Sequence, residues 1–410
     1  MRTGGLFSIL AGMSLILLCP EAQAQEEGEE KAPDLAEALS GGDANVVLRY
    51  RFEFVDVAGF EKNAYASTLR TVLNYRTLRF KGFDLFLEAE NVLSIGDDAY
   101  NNLGAGGLAN DRTDRPAVPD PELTQINQAL VGFTGGRSAL TLGRQQINLD
   151  DQRFVGAVGW RQHHQSFNSF RLVSSLVPRT TFNYAFLDRV HRVNGGSQAM
   201  SSNLLNAQVA LWDGAALTLY GYFLDFDQSA AAGLSTASYG SELSGKARVG
   251  EDWTILYEAE YAGQRDIANN PDRVRAEYVH LLVGGRTRNV TLQAAIERLG
   301  GDPQDGQFTT TLATLHAFNG WADRFVITPL NGLQDLYARL TGKTGAFSWQ
   351  AWYHDFRATT GSSHYGSEID LQVAYRTPWK QLFAITTAFY AADEFATDVS
   401  RIWLWTAYSF

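Results

Sequence analysis

The stretch VVLRYRFEF, residues 46–54, decides the fold. Val46, Leu48, Tyr50, Phe52 and Phe54 stand at every second position, and Arg49, Arg51 and Glu53 lie between them. Side chains of a strand point alternately to opposite faces, so such a segment has one apolar face and one charged face. The same dyad returns along the chain. Leu69, Leu73 and Tyr75 alternate with Arg70, Asn74 and Arg76; Phe83, Leu85 and Leu87 with Asp84, Glu88 and Glu90. Further on, Trp253, Ile255, Tyr257 and Tyr261 alternate with Thr254, Glu258 and Glu260, and Ile369, Leu371, Val373 and Tyr375 with Glu368, Asp370, Gln372 and Arg376.

Eighteen strands are expected, beginning near 46, 66, 83, 124, 138, 166, 179, 204, 215, 238, 252, 274, 288, 333, 346, 367, 381 and 400. Alternation alone also fits a soluble sandwich; the connections discriminate. Joins after even-numbered strands are short, such as Phe80-Lys81-Gly82, Thr134-Gly135-Gly136 and Trp212-Asp213-Gly214. Joins after odd-numbered strands are mostly long: 95–123, 147–165, 189–203, 227–237 and 299–332. An even strand number with tight turns on one rim and long loops on the other predicts an all-β, transmembrane antiparallel β-barrel. The apolar faces then meet lipid, the charged faces line the lumen, and the long loops and lipopolysaccharide share the outer surface. The last residues, Ile402 to Phe410, alternate to a terminal Phe with Tyr408 two places before it. They resemble the signal through which the barrel assembly machinery recognises such proteins.

The first residues agree with export. Arg2, the apolar run Leu6 to Leu18 and Ala22-Gln23-Ala24 read as a signal peptide over 1–24, too short to span a bilayer. The only cysteine, Cys19, lies inside it, so the mature chain has no disulfide or thiolate chemistry. Residues 25–44 carry seven acids against Lys31, a net of −6 out of the chain's −11, and read as an acidic, disordered leader. The barrel is expected over 45–410.

About eighteen strands enclose a space too wide for wall side chains to fill. The inward faces are expected to carry Arg49, Arg51, Arg70 and Arg76 with Glu53, Glu88 and Glu90. Later strands add Arg171, Lys246, Arg248, Arg275, Arg339 and Arg376 with Glu242, Glu258, Glu260, Glu277, Asp335 and Asp370. These charges serve either as cross-strand ion pairs or as a guanidinium surplus that favours anions. The segment LGRQQINLDDQRFVGAVGWRQHHQSF, 142–167, stands apart because its glycines and aromatics suit a loop folded back into the barrel, about 147–165. It would present Arg153 and Arg161 above Arg144, unless Asp150 and Asp151 neutralise them and merely pin the loop.

Leu142-Gly143-Arg144-Gln145, Gln152-Arg153-Phe154-Val155-Gly156 and Gly159-Trp160-Arg161-Gln162 resemble the signature segment of the alginate-export family of outer-membrane barrels. Ile126 to Phe133 resembles its companion strand. The resemblance implies an eighteen-stranded barrel with an arginine-rich constriction through which an anionic polysaccharide passes, and it places Arg144, Arg153 and Arg161 in that constriction. Gln162 and Asp151 fall within the same segment, with Arg49, Arg51, Arg70, Arg76 and Arg171 as supporting wall charges.

Catalytic and metal signatures are missing. None of the seven histidines has ligand spacing, His163-His164 would point opposite ways on an extended chain, and no G-x-S-x-G elbow or P-loop occurs. Neither metal, cofactor nor nucleic-acid partner is expected. Three functions follow from the barrel: a passive channel for an anionic, carbohydrate-like solute; an uptake porin for organic acids or oligosaccharides; or an outer-membrane hydrolase built on rim residues such as Ser362, Ser363 and His364. Any periplasmic partner is unspecified.

Overall fold

A computed structural model describes residues 31–97 and 99–410. The signal segment with Cys19, and the leader as far as Glu30, lie outside the described residues. Within the rest of the leader, Leu35–Ser40 forms one short helix, α1, where disorder was expected. The Asp34 side chain caps it by accepting from the Glu37 N–H at 2.8 Å.

Eighteen antiparallel strands follow in chain order: β1 Asp43–Val57, β2 Ala64–Arg76, β3 Phe83–Ser94, β4 Leu123–Gly135, β5 Ser138–Gln145 and β6 Ser166–Ser174. Next come β7 Thr180–His191, β8 Ser197–Trp212, β9 Ala215–Leu224, β10 Thr236–Val249, β11 Trp253–Asp266 and β12 Arg275–Arg286. The last six are β13 Val290–Leu299, β14 Leu333–Thr344, β15 Phe347–Arg357, β16 His364–Arg376, β17 Leu382–Ala392 and β18 Val399–Ser409. Each pairs with its sequence neighbour. β1 also pairs with β18, Phe52 opposite Leu404 and Tyr50 opposite Thr406, which closes the sheet into a barrel and removes its edges. Phe410 completes the seam, exchanging backbone hydrogen bonds with Val46 at 2.9 and 3.1 Å.

The alternation read from residues 46–54 sets the two faces. Leu73, Leu87, Leu142, Leu281, Ile369 and Val373 are exposed on the outside, an apolar band that suits lipid and not water. Phe83, Trp212, Trp253, Phe347 and Trp379 are exposed near the short turns, where an interfacial aromatic girdle belongs. The alternate positions, Arg51, Glu53, Arg70 and Glu90, are buried inside.

Seventeen strands begin within a few residues of expectation. The exception is β8, which starts at Ser197 and not near 204. Its first turns are too polar to show a dyad, yet they pair with β7 across an irregularity at Leu187 and Arg189. The long loop expected over 189–203 is therefore a tight turn, closed by Arg192 N–H donating to Gly196 O at 2.8 Å. Arg275 and Glu277 were expected in the lumen but sit one position out of phase. Ala276 and Tyr278 take the buried row, and Glu277 accepts outside from exposed Tyr261 at 2.9 Å.

Candidate functional site

Segments within 99–122, 146–165 and 300–332 turn into the barrel, where Asp120 meets Arg51, Arg153 meets Glu297 and Arg161 meets Asp323. Entry to the middle loop depends on Gly143. Its φ of 129° is open to glycine, and a Cβ there would lie 2.3 Å from the Ala129 carbonyl oxygen. The kink breaks the alternation of Leu140 and Leu142. Arg144 turns inward, where it donates to Ser166 Oγ (2.8 Å) and Gln125 Oε1 (2.9 Å).

The wall arginines hold the loop backbone. Arg49 donates to Gln162 Oε1 at 2.8 Å, to Gly159 O at 2.9 Å and to Arg161 O. Arg51 donates to Trp160 O at 2.6 Å and pairs with Asp120. Gln162 is completely buried, its amide donating to Thr68 Oγ1 at 2.7 Å and its backbone N–H to Asp120 Oδ1 at 2.7 Å. Arg70 pairs with Glu90 at 3.2 Å, and Glu90 also faces His163 Nδ1 at 3.0 Å. Trp160 stacks on His316 with ring centres 4.5 Å apart, and its edge meets Trp403.

The loop arginines are committed as well. Arg153 crosses to Glu297 on β13 at 2.5 Å, donates to Asn319 Oδ1 at 2.9 Å and lies 4.7 Å from the Phe318 ring. Arg161 pairs with Asp323 at 2.6 Å and Glu53 at 3.4 Å. Both guanidinium groups are buried. Asp150 and Asp151, the expected neutralisers, are not their partners. Asp150 accepts from Asn206 at 2.6 Å, and Asp151 accepts only the Arg153 backbone N–H at 2.9 Å. The counter-charges are Glu53, Glu297, Asp120 and Asp323, of which only Glu53 was named from the sequence. Glu297 was also within reach, since Gln293, Ala295 and Glu297 alternate inward against Leu292 and Ile296. Asp120 and Asp323 lie in irregular loops with no such signal.

Burial works against ionising Asp120, but Arg51 and Arg161 beside it overcome that, so its carboxyl lies below the usual carboxylate range. Asp323 is held low against the same burial by His316 and Arg161. Burial, and then Glu258 nearby, push Asp151 up.

Two expected site residues form no ion pair among the described residues. Arg171 on β6 faces the lumen, donates to Asn183 Oδ1 at 2.9 Å and has a buried Nε with no partner, and no described carboxylate touches it. Arg144 likewise contacts only neutral acceptors. Arg76 lies away from the infolded loops. It is 48% exposed at the short-turn end of β2, paired with Asp84. At the opposite rim, both His364 nitrogens face carboxylates, Asp393 at 2.9 Å and Asp355 at 3.0 Å, so no ring nitrogen is left for a neighbouring serine.

The profile of the alginate export family matches residues 44–280, more than half of the chain. No curated protein matches it in sequence. Among solved structures, the barrel is similar to Pseudomonas aeruginosa OpdK with vanillate, at 16% identity and TM-score 0.72, covering 90% of this chain and 98% of that one. It is similar to OccK9 (OpdG) of the same organism at 17% identity and TM-score 0.74, covering 91% and 99%. Acinetobacter baumannii OccAB4 gives 12% identity and TM-score 0.71, covering 90% and 97%. At these identities the likeness concerns the fold.

Proposed function

The chain belongs to the alginate export family, an integral outer-membrane channel by fold, and on that premise we propose that it passes a hydrophilic, anionic, carbohydrate-like solute passively. The observation that carries the reading is Arg171, a lumenal guanidinium with no carboxylate partner among the described residues; Arg144 on the neighbouring strand β5 also donates to neutral acceptors. A fork of donors suits a solute carboxylate geometrically, and its positive charge is not spent on the wall. Arg49, Arg51, Arg70, Arg153 and Arg161 act differently in this reading. They set the shape of the constriction by holding the loops, and the solute meets the charge of Arg144 and Arg171.

A second reading, uptake of a small organic anion, is favoured by the loops themselves. Trp160, Phe308 and Trp321 are buried among the infolded loops, bulky side chains that narrow the path. Planar-bilayer conductance tests both. The native chain is expected to prefer anions, and Arg144→Ala with Arg171→Ala to lose that preference. Unchanged ion selectivity in the double variant defeats the reading. Block of the current by an anionic oligosaccharide supports the first solute class, and block only by a small carboxylate supports the second. Ester hydrolysis by the purified chain without conductance would make it an enzyme instead.

A further inference from the structure

The acidic arc of the lumen holds a group that neither solute reading uses. Glu242 on β10, Glu260 on β11 and His280 on β12 lie opposite one another in successive strand pairings, and Glu258 is two residues before Glu260 on the same inward row. One ligand atom each of Glu258, Glu260 and His280 falls within 4.8 Å of the other two. Glu242, Glu260 and His280 are only 7%, 6% and 7% exposed. No lysine or arginine among the described residues forms an ion pair with any of these three glutamates. Arg153, the loop cation that comes nearest in function, is taken by Glu297.

Two further observations turn a charge excess into a place for an ion. First, Glu242 is buried with no cationic donor at its carboxylate, and the hydroxyl beside it is Ser244, two residues along the same strand. Second, a cavity of about 20 Å³ opens beside the group, bordered by Glu258, His280, Asp151 and Glu297. By the usual measure of roughly 10–15 Å³ per water, it holds one water-sized species.

We propose that Glu258, Glu260 and His280, with Glu242 alongside, form a binding site for a divalent transition-metal ion in the barrel wall. An imidazole among carboxylates suits Zn²⁺ or Mn²⁺ better than Ca²⁺ or Mg²⁺, which take oxygen ligands alone. His280 Nδ1 is 2.7 Å from Glu258 Oε1, and Nε2 is 3.0 Å from the Tyr337 hydroxyl. With the ring proton on Nε2 and donated to the Tyr337 oxygen, the Nδ1 lone pair is available to the ion, which replaces the Nδ1–Glu258 hydrogen bond as the two ligand atoms part by a few tenths of an ångström to sit about 2.0–2.2 Å from it. Tyr337 then orients the ligand ring from behind, and Tyr220 does the same for Glu260 by donating to Oε1 at 2.6 Å. The ion offsets the uncompensated carboxylates and ties β10, β11 and β12 together inside the lumen.

The test uses the full chain in detergent micelles, stripped with a chelator and titrated with Zn²⁺ by calorimetry, with bound metal counted by atomic emission. One tightly held Zn²⁺ per chain is expected, and a higher unfolding temperature with it. Glu260→Gln and His280→Gln should each weaken binding by roughly 100-fold. Glu242→Gln, the gentlest change, should weaken it roughly 10-fold and covers the case in which a ligand variant fails to fold, read from heat-dependent gel mobility. His364→Ala removes the rim histidine between Asp355 and Asp393 and should leave the site intact. The proposal is overturned if the native chain holds no stoichiometric Zn²⁺, if the lumen variants bind as the native chain does, or if His364→Ala abolishes binding.

Discussion

Arg153→Ala is the sharpest probe of how loop 146–165 is held against the wall. Arg153 is 2% exposed and its partner Glu297 3% exposed, so the pair exchanges little with water. Removing the guanidinium leaves Glu297 as a buried carboxylate whose donors are Tyr278 at 2.9 Å and Asn319 at 2.5 Å. Breaking one side of a buried pair costs about 3–5 kcal/mol, because the other charge stays desolvated. At about 1.4 kcal/mol per tenfold, that shifts the docked-to-released equilibrium of loop 146–165 by roughly two to three and a half orders of magnitude. The expected result in planar bilayers is a larger single-channel conductance with more frequent open-state fluctuations, and faster protease nicking within 146–165. Arg153→Ala combined with Glu297→Ala removes the stranded charge as well, so it should recover much of the loss; the cycle isolates the pair. Conductance and nicking indistinguishable from the native chain in Arg153→Ala would refute the clamp, and equal damage in single and double variants would refute its electrostatic origin.

Arg171→Ala should lower anion preference without altering protease sensitivity, since Arg171 holds no loop; altered nicking would contradict that separation. Gly143→Ala should destabilise the barrel by about 1–3 kcal/mol, because φ is 129° and the added Cβ meets backbone, and thermal unfolding followed by gel mobility checks it. The carboxyls of Asp120 and Asp323 are depressed, so their contribution is present above the ordinary aspartate value of 3.8 and is lost as pH falls through their folded values. Loop 146–165 should therefore stay protected at pH 5 and be released only well below pH 4; protection lost already between pH 7 and pH 5 would point to other groups.

The barrel was legible in the chain because its rule is local. A strand alternates every two residues whatever lies elsewhere, and lipid outside with water inside keeps that alternation strict, so Leu48, Tyr50 and Phe52 against Arg49, Arg51 and Glu53 declare the two faces unaided. The rule faded at the polar start of β8, broke at the Gly143 kink and slipped by one place at Arg275 and Glu277. The segment 142–167 also announced an infolded loop, through aromatics and glycines that a free surface loop does without. Its arginines could be named but not valued. Whether a guanidinium is spent or free depends on which carboxylate closure of the barrel brings to it: Arg153 meets Glu297 across 144 positions, and Arg161 meets Asp323 across 162. Asp150 and Asp151, adjacent in sequence, turn elsewhere because the left-handed backbone at Asp150, φ 51°, aims that carboxylate at Asn206. The residues by themselves determined a barrel with a charged interior. Only the tertiary structure decided which charges pair with one another, which guanidinium groups meet neutral acceptors, and that Glu258, Glu260 and His280 from neighbouring strands come together.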